Sequence, residues 1–316
     1  MRFMPIFAII KLLTMDNIIS LPTVQAYNDH WGVPTRHPYV NVLDGSQIDH
    51  PIPNCLKNMG MYVVFLKDVM CADYLKYGRQ TYDYQENTLV FVAPGQVFGH
   101  PQDGSTYRAK GWVLYFSPEL LRGTSLGRRM KDYTFFSYAA NEALHLSLRE
   151  RETIIDCLRK IDEEIDCGDD RHSNTIIASA IELLLNYCLR FYDRQFITRK
   201  HANRDLLTRF EELVDGYFTS GHAATHGTPT VAWCADRLCL SANYFGDLIK
   251  KETGHTAQEY IIAKTMEVAK ERLADPSESI SETAYYLGYQ YPQYFSRAFK
   301  KAVGCTPLDY RRRVCR

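Results

Sequence analysis

Seven basic side chains, Arg297, Lys300, Lys301, Arg311, Arg312, Arg313 and Arg316, fall between Ala284 and the C-terminus against a single acid, Asp309. Cations at this density suit a phosphate-bearing partner, because each phosphate they neutralise releases condensed counterions. They are interleaved with aromatic residues in YPQYFSRAFKKAVGCTPLDYRRR, Tyr291 to Arg313. Tyr294, Phe295 and Phe299, like Tyr244, Phe245, Leu248 and Ile249 upstream, sit at helical spacing and are expected to be core rather than surfaces that stack on bases. The whole chain hides this asymmetry. Its 37 Lys and Arg balance 37 Asp and Glu over 316 residues, so attraction to a polyanion must be local.

Other chemistries find little support. The nine cysteines, Cys55, Cys71, Cys157, Cys167, Cys188, Cys234, Cys239, Cys305 and Cys315, are odd in number and contain no CxxC pair. They read as reduced thiols of a cytoplasmic protein, not as a disulfide framework or a zinc site. His100 stands alone, and His30, His37 and His50 show no HxH pattern, so no metal and no cofactor is expected. A G-x-S-x-G elbow, a phosphate loop and a paired-carboxylate site are all missing, so no catalytic residue is assigned and an enzyme is not expected. The opening MRFMPIFAIIKLLTM places Arg2 before an apolar run, but Lys11 interrupts it and no small-residue cleavage site follows. The run is short of the ~20 residues that a membrane span needs, so no membrane partner is expected. Translation is expected to begin at Met15, within an extension covering residues 1–20.

These residues need a scaffold. YVVFL (Tyr62 to Leu66), TLVFVAPGQ (Thr88 to Gln96) and GWVLYFS (Gly111 to Ser117) are rich in β-branched and aromatic residues and bounded by turn formers, as in a small sandwich or barrel. A pocket inside such a barrel could hold a small effector, with Trp112 and Tyr62 either lining it or serving as plain core. From Ser147 the period becomes helical. Ser147 and Glu150 form a capping box, followed by Ile154, Leu158, Ile161 and Ile165 on one face. After CGDDRHSN a second helix runs through Ile177, Ile181, Leu184, Cys188 and Phe191. The pair reads as a helical hairpin whose apolar surface, with Ile154, Leu158, Ile161, Ile165 and Leu184 as candidates, could pack on the β domain or form a homodimer interface. DRQFITRKHANRD is polar enough for a linker.

The last hundred residues contain a repeat. ADRLCLSANYFGDLIKKETGHTAQEY (Ala235 to Tyr260) aligns with AYYLGYQYPQYFSRAFKKAVGCTPLDY (Ala284 to Tyr310), with one extra residue in the second turn. Each copy has a short helix carrying a small residue, Ala235 or Ala284, then a tight turn and a second helix. That is helix-turn-helix syntax. Gly288 suits the positive φ of a sharp turn, Ser241 can cap the second helix of the first copy, and Ser279 with Glu282 forms a capping box ahead of the second. IIAKTMEVAKERLAD, ending before Pro276, would be a rigid connecting helix.

At these residues the chain resembles the AraC/XylS-type transcription regulators. ISETAYYLGYQYPQYFSRAFKKAVGCTPLDYR matches that family's signature over nearly its full length, the first copy agrees more loosely, and the resemblance covers roughly Leu206 to Arg313. It implies an α+β protein: a cupin-like β-barrel or sandwich sensor domain (1–145), a helical hairpin for dimerisation (146–195), a linker (196–205), and an all-α DNA-binding domain (206–316). Its tandem helix-turn-helix units would span 230–251 and 279–301. The partners implied are double-stranded DNA, a second copy of the chain, RNA polymerase and a small-molecule effector, with activation as the mode of regulation.

Two recognition helices would then enter successive segments of the major groove. Arg297 is the candidate for a bidentate guanine contact, and Gln290 and Gln293 could read adenine. Lys300, Lys301, Arg311 and Arg312 are phosphate candidates, joined in the first unit by Ser241, Lys250 and Lys251. The family's base-facing positions in the first recognition helix fall at Asn243, Gly246 and Asp247, where Gly246 has no side chain to read with and Asp247 repels phosphate. From Ala235 to Thr283 six basic residues face nine acidic ones, so the second unit is expected to supply most of the attraction. Two other classes follow from these features: a degenerate regulator acting mainly through protein contacts, and a DNA-repair methyltransferase fusion. The second needs a reactive cysteine in a Pro-Cys-His-type motif, which none of the nine has.

Overall fold

The computed structural model describes residues 18–67, 87–99, 104–139, 142–168, 170–198 and 200–315. Expectations about the N-terminal extension before residue 18, and about His100, lie outside them. The chain divides into two compact units, Met1–Gln195 and Phe196–Arg316.

The first unit is built on a sheet of order β10-β6-β5-β9-β2 among the described residues: β2 (Val40–Asp44), β5 (Tyr62–Lys67), β6 (Thr88–Val92), β9 (Trp112–Phe116) and β10 (Leu144–His145), all antiparallel. Every residue of β6 is buried, because this interior strand is covered on both faces and so shows no polar alternation. Pro94 and Gly95, the latter at φ 84°, end it earlier than the apolar run alone implies. A smaller sheet of order β1-β4-β7 joins β1 (Ile18–Leu21), β4 (Leu56–Met59) and β7 (Val97–Gly99), with β1 and β4 parallel. β3 (Ile52–Pro53) pairs with β8 (Thr106–Tyr107).

Strand parity sorts the side chains. Leu43, Val63, Val92, Val113 and Tyr115 share a core with Leu21 and Met59 of the smaller sheet and with Val24, Tyr27 and Trp31 of helix α1 (Val24–Trp31). The opposite face carries Val64, Phe91 and Phe116, packed under Phe135, Phe136 and the following helices. Trp112 and Tyr62 belong to this outer face by the period of two, and Tyr62 stacks on Phe116 at 5.2 Å. Neither therefore points into the core between the sheets, which corrects their candidacy as lining of an interior pocket.

Beyond the short helix α2 (Ser125–Arg129), α3 (Leu148–Asp166) opens with the expected capping box. The Ser147 amide donates to Glu150 at 2.8 Å and the Glu150 amide to Ser147 Oγ at 3.3 Å. Helix α4 (Ser173–Thr198) follows. The five dimerisation candidates, Ile154, Leu158, Ile161, Ile165 and Leu184, are all at most 5% exposed within a single chain. This face packs inward, α3 lying against β2 and β9, so it is core. Each such side chain contributes about 1.5–3 kcal/mol by burial, and Leu158→Asp would unfold the unit instead of splitting a dimer. By length and composition alone α4 could cross a bilayer, with a window of mean hydropathy 1.2, but Ile177, Ile181, Leu184, Leu185 and Cys188 are buried in the unit.

The segment read as a linker, 196–205, is helical on both sides of residue 199, ending α4 and starting α5 (Lys200–Thr219). Phe196, Asn203, Phe210, Val214 and Tyr217 are buried at helical spacing, and Asn203 Nδ2 donates to the Phe196 carbonyl and to Glu252, each at 2.8 Å. Polar composition misled here because it averages a solvated face with a buried one.

The second unit continues with α6 (His222–His226), α7 (Val231–Arg237), α8 (Ala242–Thr253), α9 (Ala257–Leu273), α10 (Ile280–Tyr286), α11 (Pro292–Val303) and α12 (Pro307–Val314). Thr230 and Ser241 cap α7 and α8, and capping boxes open α9 (Thr256, Glu259) and α10 (Ser279, Glu282). Ala235 and Ala284 are buried where the paired helices cross. Gly288 turns at φ 86°, while its counterpart Cys239 adopts the same left-handed region at φ 59° without being glycine.

A candidate DNA-binding interface

Helix α11 buries Phe295 and Phe299 and turns its opposite side outward. Gln293, Arg297, Lys300 and Lys301 are exposed, and positions 293, 297, 300 and 301 follow the i, i+4, i+7, i+8 spacing of one helical face. Gln290 is exposed in the turn just before. The Arg297 guanidinium has no ion pair or hydrogen bond among the described residues, so all its donors remain available to a ligand. Pro292 starts the helix and Gly304 stops it at φ 86°, which fixes this face at twelve residues.

Helix α12 divides its three arginines. Arg312 and Arg313 are exposed, near Asp309, whose carboxyl is held low by the Thr306 hydroxyl and by both arginines. Arg311 is different: its Nε donates to the Leu273 carbonyl at 3.0 Å, and its Nη2 is buried without a partner. The guanidinium closes the C-terminal end of α9, satisfying a carbonyl that the helix leaves open. Arg311 is therefore corrected from phosphate candidate to structural cation.

In the first unit of the repeat, Asn243, Gly246, Asp247 and Lys250 fall on one face of α8 by their spacing. Asn243 and Lys250 are exposed and Asp247 is half-buried and engaged. A Cβ placed on Gly246 would meet nothing within 4 Å, so this face is open at its centre. Ser241 spends its hydroxyl accepting the Tyr244 amide at 3.3 Å, and Lys251 is exposed but engaged.

Tyr294 overturns one expectation, being 54% exposed; Tyr291 and Tyr285 are both 52% exposed. Tyr291 and Tyr294 meet edge-on at 5.6 Å beside Gln293 and Arg297. The signal was present in the repeat. Leu248 of the first copy corresponds to Ala298 of the second, which narrows the apolar face of α11 and leaves Tyr294 at its edge. Among the described residues no group of three or more His, Cys, Asp or Glu is arranged to hold a metal ion.

Residues 234–313 match a helix-turn-helix domain family. The transcriptional regulatory protein YesN of Bacillus subtilis is 36% identical over 92 residues, covering 28% of this chain and 25% of that protein, so the chain spans only a quarter of this relative's length. The MmsAB operon regulatory protein of Pseudomonas aeruginosa is 33% identical over 322 residues, covering 95% of this chain and 98% of that protein. Among solved structures, the C-terminal domain of AraT, a response regulator from Geobacillus stearothermophilus, is 31% identical and covers 34% of this chain and 84% of its own, at a TM-score of 0.30.

Proposed function

We propose, given that this chain belongs to the AraC/XylS family of DNA-binding transcription regulators, that α11 carries most of its DNA recognition and that α8 serves chiefly to position the protein. The observation behind this is the outward face of α11, where Gln293, Tyr294, Arg297, Lys300 and Lys301 are all exposed. In this reading Arg297 binds guanine O6 and N7, Gln290 and Gln293 contact adenine or phosphate, and Lys300, Lys301 and Arg312 neutralise backbone charge. On α8, Asn243 and Asp247 have base edges in reach only if the groove approaches the bare backbone at Gly246, with Ser241, Lys250 and Lys251 near the phosphates.

The first unit acts as an effector-responsive sensor of cupin-like architecture, supported by its two stacked sheets. The protein works in the cytoplasm as a homodimeric activator that contacts RNA polymerase. The dimer face moves from the hairpin's core to the outer side of α4, where Ile176 is 47% and Leu183 46% exposed and Ala180 and Tyr187 lie along the same stripe. Leu183→Asp is then expected to give folded monomers by sedimentation, and an unchanged dimer would remove this assignment.

Selection of bound sequences from a random DNA pool at physiological salt, with the full chain, tests the DNA reading. The expected result is a motif with a strongly specified box for α11, repeated once per protomer. The open centre of α8 and the acid at Asp247 favour a second reading, in which the protein works mainly through protein contacts. Salt-sensitive binding without any motif would establish that reading.

A further inference from the structure

Arg272, in the last turn of α9, reaches both ends of α10. Its Nη2 pairs with Glu278 Oε1, just ahead of the Ser279 cap, and its guanidinium carbon lies 3.6 Å from the ring centroid of Tyr286, the last residue of α10. A planar guanidinium has a face and an edge. Here the face stacks on Tyr286 and the edge holds Glu278, so a single side chain fixes α10 against α9 in two directions at once. In the repeat Tyr286 aligns with Arg237 of the first copy, so this joint belongs to the second copy alone.

The joint is an inefficient source of stability. The side chains of Arg272 and Glu278 are 28% and 26% exposed, yet Arg272 Nε and Glu278 Oε2 are buried without a hydrogen-bond partner. A half-buried ion pair with unsatisfied atoms returns little beyond its own desolvation, whereas its geometry still dictates orientation. The far end of α10 is constrained as well. A Cβ on Gly288, in the turn after α10, would lie 2.5 Å from the Gly227 carbonyl carbon and 2.7 Å from the Ala223 oxygen, so the turn is seated directly on the segment that precedes α7. Gly227 is itself anchored, its carbonyl accepting from Tyr217 Oη at 2.9 Å.

What α10 carries is α11, which packs against it. Helix α8 is joined to the start of α9 through the Gly254 turn, and the seventeen residues of α9 span about 25 Å from there to Arg272. A rotation of α10 about the end of α9 therefore displaces α11 relative to α8. We propose that Arg272 is a positioning residue for DNA binding: by holding α10 in one orientation on α9 it lets α8 and α11 engage the same duplex together, although it lies on neither. The inference rests on the DNA reading of those two helices.

The experiment measures affinity of the full chain for its selected site over a range of salt, for the wild type, Arg272→Lys, Lys250→Ala and the double variant. Arg272→Lys keeps the charge and loses the flat face, so any phosphate contact made by residue 272 itself would survive it. In the wild type, Lys250→Ala is expected to lower the slope of log affinity against log salt by about one. Arg272→Lys is expected to lower the slope by at least as much, and Lys250→Ala to add nothing further, because α8 no longer reaches its phosphates. Lys250 and Arg272 sit at opposite ends of α9, and residues so far apart that contribute only stability act additively. Should Arg272→Lys fail to fold, Tyr286→Leu, which removes the ring and keeps an apolar body, is expected to show the same coupling to Lys250→Ala. Additive losses, a wild-type slope in Arg272→Lys, or a Lys250→Ala that changes nothing in the wild type would each overturn the proposal while the DNA reading stands. A wild type that binds no DNA would remove that reading and this proposal with it.

Discussion

Tyr244 and Tyr294 hold the same position in the two copies of the repeat, yet Tyr244 is 5% exposed and Tyr294 54%. Phe196 covers Tyr244, with ring centroids 5.3 Å apart, and Leu248 widens the apolar face beneath it. In the second copy Ala298 takes the place of Leu248, and the ring beside Tyr294 is the exposed Tyr291. Tyr244→Ala should therefore cost about 3 kcal/mol of stability in urea titration. Tyr294→Ala should leave stability within about 0.5 kcal/mol and weaken specific DNA binding instead. If the edge of its ring touches a thymine methyl, replacing thymine by deoxyuridine in the site reproduces the loss in the wild type and adds nothing in Tyr294→Ala.

Arg297→Ala should cost about 1–3 kcal/mol on a selected site and relax preference at one base pair. Binding isotherms on the site and on its single-base variants check this. An equal loss on every sequence would make Arg297 a phosphate contact.

Adjacent arginines of α12 should behave differently. Arg312→Ala should reduce the slope of log affinity against log salt by about one, as loss of one phosphate contact does. Arg311→Ala should leave the slope unchanged and cost about 1–2 kcal/mol of stability, because it frees the Leu273 carbonyl. A slope change with Arg311→Ala at unaltered stability would return it to the DNA face.

The two turns offer a matched pair of backbone tests. Cys239 sits at φ 59°, where a side chain is strained, so Cys239→Gly should be neutral to stabilising by up to about 1 kcal/mol despite the added chain entropy. Gly288→Ala should cost about 3 kcal/mol or more, since its Cβ would come within 2.5 Å of the Gly227 carbonyl carbon. Thermal midpoints of both variants decide it.

Acid should loosen the second unit through its helix caps. Glu259 and Glu282 are held below the ordinary glutamate range, each first by its cap residue's backbone amide. A carboxylate with a depressed folded pKa stabilises fully above its unfolded value, and that contribution is lost as pH falls through the folded value. Glu282→Gln should thus remove part of the decline in stability as pH falls below about 4.5, and an unchanged decline would show that the cap carries no pH dependence.

Sequence alone determined whatever local chemistry specifies. The capping boxes at Ser147 and Ser279, the strands at Tyr62, Thr88 and Trp112, the turn at Gly288 and the helix-turn-helix order all follow from neighbours within a few residues. The basic face of α11 was legible for the same reason, since residues 293, 297, 300 and 301 share a face once the helix exists. Tertiary structure decided everything that depends on what covers a face. Ile154, Leu158, Ile161 and Ile165 form an equally good apolar stripe for a dimer or for a sheet, and only the packing on β2 and β9 chooses. Residues 196–205 have the same composition as a linker or as a solvated helix, and only the burial of Phe196 and Asn203 distinguishes them. Arg311 and Arg312 are chemically identical neighbours, separated only by the carbonyl at the end of α9. No periodicity in the sequence links Arg272 to Tyr286 or Gly288 to Gly227, because the ends of α9, α10 and α6 meet through contacts between residues far apart in the chain.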